Sequence, residues 1–256
     1  MFDRFARYYD ADSGAFSDDI LFYRELARLH GGPVLELMCG SGRVAVPLAQ
    51  ARLSVVGLDI APAMIELAAA RASAAQVGKR ARFAVGDARQ FEWPERFGFA
   101  FIAINSFMHL ETAADQLAAL RTIHRHLAPG GTLAIDLFNP NPAELAQVDG
   151  LTVLDKTFVL PDSGHTVQKY VIREVDLAAQ HQAVTFCYDE IDGEGRLSRT
   201  VLPFGMRWLY RFEAEHILAR AGFVVDHIYG SYDLDDYTSD APRMLVVARR
   251  LDEVSP

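Results

Sequence analysis

The sequence is poor in cysteine, in positive charge and in long apolar runs. Cys39 and Cys187 are its two cysteines in 256 residues. That is too few for a disulfide framework, and it predicts a reducing, cytoplasmic setting. Acidic residues outnumber basic ones, 34 against 25, for a net charge of −9. A nucleic-acid binder or a protein of anionic membrane surfaces wants the opposite balance, so neither partner is expected. No apolar run reaches the length of a membrane span. The opening "MFDRFARYYD" lacks the apolar core of a signal peptide. Repeats and low-complexity tracts are also missing. No His/Asp cluster has metal-ligand spacing, so no metal is expected. His124 and His126 stand two apart on a predicted helix, which points them in different directions as exposed residues.

Half of the residues are hydrophobic, enough for one globular core with room for an insertion. From Pro33 to about Pro140, apolar runs alternate with helical patterns. "PVLELM", "SVVGLDI", "ARFAVGD", "FGFAFIAINSF" and "TLAIDLF" read as five strands. Helices fall between them, one with Pro62 near its start and one stopped by Pro129 and Gly130. Such alternation predicts a parallel sheet with helices on both faces. The fourth run is almost wholly apolar, as a strand buried on both faces should be. Residues 141–211 change character. About four strand-like segments follow one another, broken by "PDSG", "AAQ" and "DGEG", which predicts an antiparallel insertion. A short helix ended by Gly222 and two last strands complete the chain. Before the first strand, "SDDILFYRELARLH" reads as an amphipathic helix with Ser17 as its N-cap.

The chemistry turns on "VLELMCGSGRVA". Gly40, Gly42 and Ala45 fit the G-x-G-x-x-G/A pattern of a dinucleotide site, placed between a strand and a helix. Asp59 closes the second strand, where a carboxylate can accept from ribose hydroxyls. An NAD(P)-dependent oxidoreductase is allowed on these features alone. Glu36 argues otherwise, because an acid just before the loop repels a pyrophosphate and suits a cation. Asp87 adds a polar group that can read a base, and "LAPGGTLAIDLF" adds a Pro-Gly-Gly turn. A cationic, phosphate-free nucleoside such as S-adenosylmethionine (SAM) meets these demands.

The motifs "VLELMCGSGR", "VVGLDIAPAMIELA", "FAVGDARQF", "FAFIAINSFMHL" and "HLAPGGTLAIDLF" together resemble those of the class I SAM-dependent methyltransferases, in order and spacing. The resemblance implies an α/β, Rossmann-like, seven-stranded and mostly parallel sheet whose last strands form an antiparallel hairpin. It implies SAM as cofactor. Glu36, Gly40 and Gly42 match the loop that holds the methionine part, with Met38 and Cys39 between them. Asp59 matches the ribose-binding acid, Ile60 packs on the adenine, and Met64 follows on the next helix. Asp87 and Ala88 match the adenine-reading pair. Asn105 and Ser106 match the end of the fourth strand, beside the transferring methyl. The family's usual glycine is Met38 here, a departure that bears on the shape of the loop.

His109 follows the fourth strand and is a candidate general base or substrate-orienting residue, the alternative being a polar residue at a helix start. Tyr8 and Tyr9, in an N-terminal "YD" segment, are candidates for closing the pocket, the alternative being packing. Phe138 and Asn139 are expected to line the acceptor pocket, with Trp208, Tyr210 and Arg211 reaching it from the insertion. The layout is then a lid segment at 1–32, a SAM-binding core at 33–140 and 212–256, and the insertion at 141–211. The insertion resembles that of small-molecule N-methyltransferases, including sugar N,N-dimethyltransferases, where it covers the acceptor or forms a homodimer interface. A small amine acceptor is therefore expected ahead of an O-methyl acceptor. A non-catalytic SAM-binding protein is a further alternative.

Overall fold

The computed structural model describes residues 6–251. The ends of the expected lid and core segments, 1–5 and 252–256, lie outside the described residues. Two short helices, α1 (Ala6–Ser13) and α2 (Ile20–His30), precede a repeating unit. That unit runs β1 (Val34–Leu37), α3 (Ala45–Gln50), β2 (Val55–Asp59), α4 (Pro62–Ala74), β3 (Ala81–Val85), β4 (Phe97–Ile102), α5 (Ala113–His126) and β5 (Leu127–Phe138). A helix α6 (Pro142–Val148) leads into β6 (Thr152–Val159), β7 (Thr166–Asp176), β8 (His181–Ile191) and β9 (Leu197–Arg207). Then α7 (Arg211–Arg220), β10 (Phe223–Tyr229) and β11 (Arg243–Arg250) close the fold.

The main sheet has seven strands in the order β10-β11-β5-β4-β1-β2-β3. β11 is antiparallel to both neighbours, and the remaining pairings are parallel. This is the expected Rossmann-like architecture. Strand order reverses between β1 and β4, so a crevice opens where their carboxyl ends diverge. β4 explains why the sheet is stable there. Phe97, Phe99 and Phe101 are fully buried, and the alternation of β4 divides its side chains between the cores on the two faces. Burying each such ring contributes about 1.5–3 kcal/mol.

Local sequence explains most element ends, with two corrections. α2 begins after Asp19, not at Ser17, and no side chain caps it. Asp19 is occupied elsewhere, in a fully buried pair with Arg43. "LAPGG" is not a turn outside the strand. It enters β5 itself as an irregularity between Leu127 and Thr132 in the pairing with β4. Pro62 does open α4.

The four strands β6–β9 form a separate antiparallel meander. Register places Lys169, Val171 and Arg173 of β7 opposite Tyr188, Phe186 and Val184 of β8. Those face Thr200, Leu202 and Phe204 of β9. This alternate set is the inward face. α1 bridges it to the main body: Tyr8 stacks on Tyr188 with ring centroids 4.5 Å apart, and both join a cluster with Met64 of α4. No helix among the described residues is long and apolar enough to cross a membrane.

Candidate active site

The glycine loop turns sharply because Met38 and Gly40 both take left-handed backbone, at φ 57° and 53°. Gly42 does the same at 72°. For Met38 that conformation carries strain of about 1–2 kcal/mol. The methionine therefore adopts the backbone that glycine usually supplies, and its side chain is free to line a cavity. Asp59 fixes the loop. Its carboxylate accepts from the Gly40 N–H and the Ala61 N–H, both at 2.9 Å. Helix α1 is tied to the same loop, since the Ser41 hydroxyl donates to Asp10 at 2.6 Å, and Arg71 of α4 also pairs with Asp10.

A cavity of about 300 Å³ opens over this loop. Met38, Gly40, Asp59, Ile60, Met64, Asp87 and Ala88 all line it, as do Tyr9 and His109. Ile60 is 53% exposed there, an apolar face left uncovered beside the Asp59 carboxylate. Four expected residues, Glu36, Cys39, Gly42 and Asn105, stand elsewhere. Cys39 and Gly42 pack behind the loop, against Gly57 and Phe83 respectively. Asn105 lines the neighbouring cavity, and its amide oxygen accepts from the Phe138 N–H at 2.6 Å.

Glu36 is not on the cavity surface but buried beneath the loop, 2% exposed. Its Oε2 has no hydrogen-bond partner among the described residues. Burial pushes its carboxyl up to about 8, while Arg43 pulls the other way. A buried acid with one unpartnered oxygen under a glycine loop is an arrangement that a cationic ligand would complete by restoring its charge. Asp87 lines the cavity as expected, and Arg89 grips its carboxylate from Nε and Nη2 and holds it below the usual carboxylate range. Arg89 also bonds Asp115, so the base end of the cavity carries an ionic network. Sequence reasoning passed over Arg89, although it stands two residues after Asp87.

A second cavity, about 550 Å³, lies between the main sheet and the inward face of β7–β9. Phe138 and Asn139 line it, as expected, together with Arg173, Gln182 and Phe204. Trp208, Tyr210 and Arg211 do not. Trp208 is fully buried in the core, with Tyr210 packed against that core, and Arg211 lies in a different groove beside β10. Tyr8 lines neither cavity. Its ring is covered by Tyr188 and its hydroxyl meets Glu190 and Thr200, so it anchors α1.

Tyr9, Ser106 and His109 line both cavities. Tyr9 lies over the loop, with its hydroxyl 3.2 Å from where a Cβ on Gly40 would stand. Burial pushes its phenol up to about 12, so it is neutral. His109 ends a 3-10 turn, Ser106–His109. Its ring packs on Phe204, and burial holds its pKa below the ordinary 6.5 against a hydrogen bond to the Gly205 backbone. The turn is held from behind by strained backbone. Ile104 and Asn105 have φ of 35° and 58°. The Ile104 N–H donates to the buried Asp136, which Arg243 and Tyr232 also grip. His124 and His126 are remote from both cavities. His126 is buried, not exposed, and bonds Thr122 and the Trp93 N–H. Among the described residues, no group of three or more His, Cys, Asp or Glu could hold a metal.

The lining fits SAM: Gly40 would meet its amino-acid part with the Glu36 carboxyl beneath the loop, Asp59 would meet the ribose, and Ile60 and Ala88 would meet the base. SAM supplies an electrophilic methyl group when bound. The protein's residues hold it, exclude water and orient the acceptor.

Known proteins agree with this arrangement. Residues 34–131 match the family model described as "Methyltransferase domain". The cypemycin N-terminal methyltransferase of a Streptomyces species is 27% identical over 222 residues, 87% of this chain and 84% of that protein. A ubiquinone biosynthesis O-methyltransferase of Pseudomonas fluorescens is 28% identical over 170 residues, covering 66% of this chain and 70% of that one. The solved structure of the CcbJ methyltransferase from Streptomyces caelestis superposes with a TM-score of 0.81 at 22% identity, over 98% of this chain and 97% of that one. Four of the five sequence motifs thus line one cavity in a fold that methyltransferases share, and the chain is a SAM-dependent methyltransferase.

Proposed function

We propose that the chain methylates an amine nitrogen of a small molecule held in the 550 Å³ cavity. The observation that carries this reading is the wall common to both cavities, Tyr9, Ser106 and His109. A methyl group passing between the two cavities crosses there. An amine must shed a proton before it attacks, and an imidazole kept neutral by burial can accept it. Tyr9 then acts as a lid and hydrogen-bonding group, and His109 as the base. The similarity to an N-terminal methyltransferase over 87% of the chain supports nitrogen. The O-methyltransferase similarity, over 66% of it, is the observation behind a second reading, an oxygen acceptor.

The test is transfer of labelled methyl from SAM to matched amines and phenols. Amines are expected to be methylated and phenols not, and the reverse would overturn the reading. His109→Ala should abolish the acidic limb of the rate profile, which lies below pH 6.5 because the folded pKa is lowered. An unchanged profile and rate would leave His109 a packing residue. We further infer a cytoplasmic setting, from two buried free thiols, and a homodimer, from Leu154, Leu197 and Val201 exposed on the outer face of β6–β9. A monomer by light scattering refutes the latter.

A further inference from the structure

One charge in the acceptor cavity is unaccounted for. Lys169 is 6% exposed and is neutralised by Asp12 at 2.8 Å and Asp155 at 3.0 Å. Asp12 is also paired with Lys156. Glu144 is exposed and accepts from Asn141. Arg173 lines the same cavity half-buried, and its guanidinium makes no ion pair or hydrogen bond with any described residue. A half-buried guanidinium without a partner loses hydration and gains nothing in return. Beside it stands a second incomplete group. Gln182 is 4% exposed, lines the cavity, and its Oε1 has no partner among the described residues. Val175 pairs with Gln182 and Arg173 with Val184, so Arg173 and Gln182 are diagonal neighbours on one face of the sheet.

We propose that this wall is an anion-reading subsite of the acceptor pocket. Arg173 takes a carboxylate of the acceptor on its planar fork, and Gln182 Oε1 takes an adjacent N–H or O–H of the same molecule. A single-charged planar anion fits better than a phosphate dianion, because Asp12 and Glu144 already place acids around the cavity. The acceptor class is then an amine that also carries a carboxylate, with the amine directed toward His109 and the carboxylate toward β7. This rests on the reading of the cavity as an amine acceptor site, and the experiment separates the two.

The probes are phenylalanine against phenylalaninamide, and alanyl-phenylalanine as its acid against its C-terminal amide. Binding to the protein loaded with S-adenosylhomocysteine is measured by calorimetry, and methyl transfer from labelled SAM is measured in parallel. The acid of each pair should bind about tenfold or more tighter, the scale of a charge-assisted bidentate contact. Arg173→Gln should erase that preference and leave both the amide's affinity and the S-adenosylhomocysteine affinity within about twofold. The last value also reports that the variant is folded. Arg173→Lys should keep only part of the preference. Acids that bind no tighter than amides, acids that do not bind, or a preference that survives Arg173→Gln would each overturn the subsite. Methylation of these amines without an acid preference removes the subsite and leaves the amine reading intact. An acid preference that depends on Arg173, without methyl transfer to any amine, retains the subsite and removes the amine reading.

Discussion

Glu36→Gln tests the buried acid under the glycine loop. In the folded protein burial moves the carboxyl from 4.5 to about 8. The folded state therefore holds a proton that the unfolded chain has released, and that proton stabilises the fold. The contribution is complete below pH 4.5 and is lost as pH rises toward 8, at about 1.4 kcal/mol per pH unit and about 5 kcal/mol in all. Between pH 6 and 8 the loss is about 2 kcal/mol, or roughly 4–8 °C in Tm for a chain of this length. Gln keeps the shape and hydrogen-bonding groups but cannot titrate. Thermal melts at pH 6, 7 and 8 should show the wild type losing that much more than Glu36→Gln. Parallel pH dependence in the two proteins would refute the assigned burial and protonation. The same group reports on the cofactor. A ligand ammonium near Glu36 would restore its negative charge, so binding of S-adenosylhomocysteine at pH 7 should release about one proton. Calorimetry in buffers of different ionisation enthalpy reads that release, and Glu36→Gln should lack it.

Four further variants test the cavity and the helix beside it. Asp59→Ala removes the acceptor for the Gly40 and Ala61 N–H groups and should weaken S-adenosylhomocysteine about 10- to 100-fold by calorimetry, with unchanged affinity refuting its role. Met38→Gly should relieve about 1 kcal/mol of left-handed strain yet loosen the cofactor severalfold, because a cavity wall is lost; a lower Tm with unaltered affinity would refute it. Tyr8→Ala should destabilise the protein by about 3–5 kcal/mol in denaturant melts. Tyr9→Phe should leave stability within about 0.5 kcal/mol and change kcat/KM instead, and the reverse pattern would exchange the anchoring and lid roles of the two rings.

The main sheet was legible because one physical demand wrote it. Strands buried on both faces need continuous apolar runs, and "FGFAFIAI" is one. The glycine loop was legible because left-handed backbone favours few residues, although Met38 shows that the conformation, and not the glycine, is retained. Ser17, His126 and Trp208 were misplaced for a different reason. Ser17 reads locally as a cap, His126 as a surface residue and Trp208 as a pocket-lining one, and in each case contacts beyond the local sequence decide otherwise. Asp19 serves Arg43 and so leaves the helix uncapped, and the Trp93 N–H draws His126 inward.

The inward face of β7 shows the same limit in its sharpest form. Along β7 the alternation Lys169, Val171, Arg173 against Tyr170, Ile172, Glu174 gives two faces, each part polar and part apolar. A rule that sends charge to solvent would turn Lys169 and Arg173 outward. The structure turns them inward, opposite Tyr188 and Val184, and leaves Tyr170 and Ile172 on the outer face. An inward charge is tolerable in a strand only beside a counter-charge or a space that a ligand can fill. Lys169 has the first, in Asp12 and Asp155. Arg173 has only the second, so the residue that breaks the burial rule is the one on which the proposed anion subsite rests.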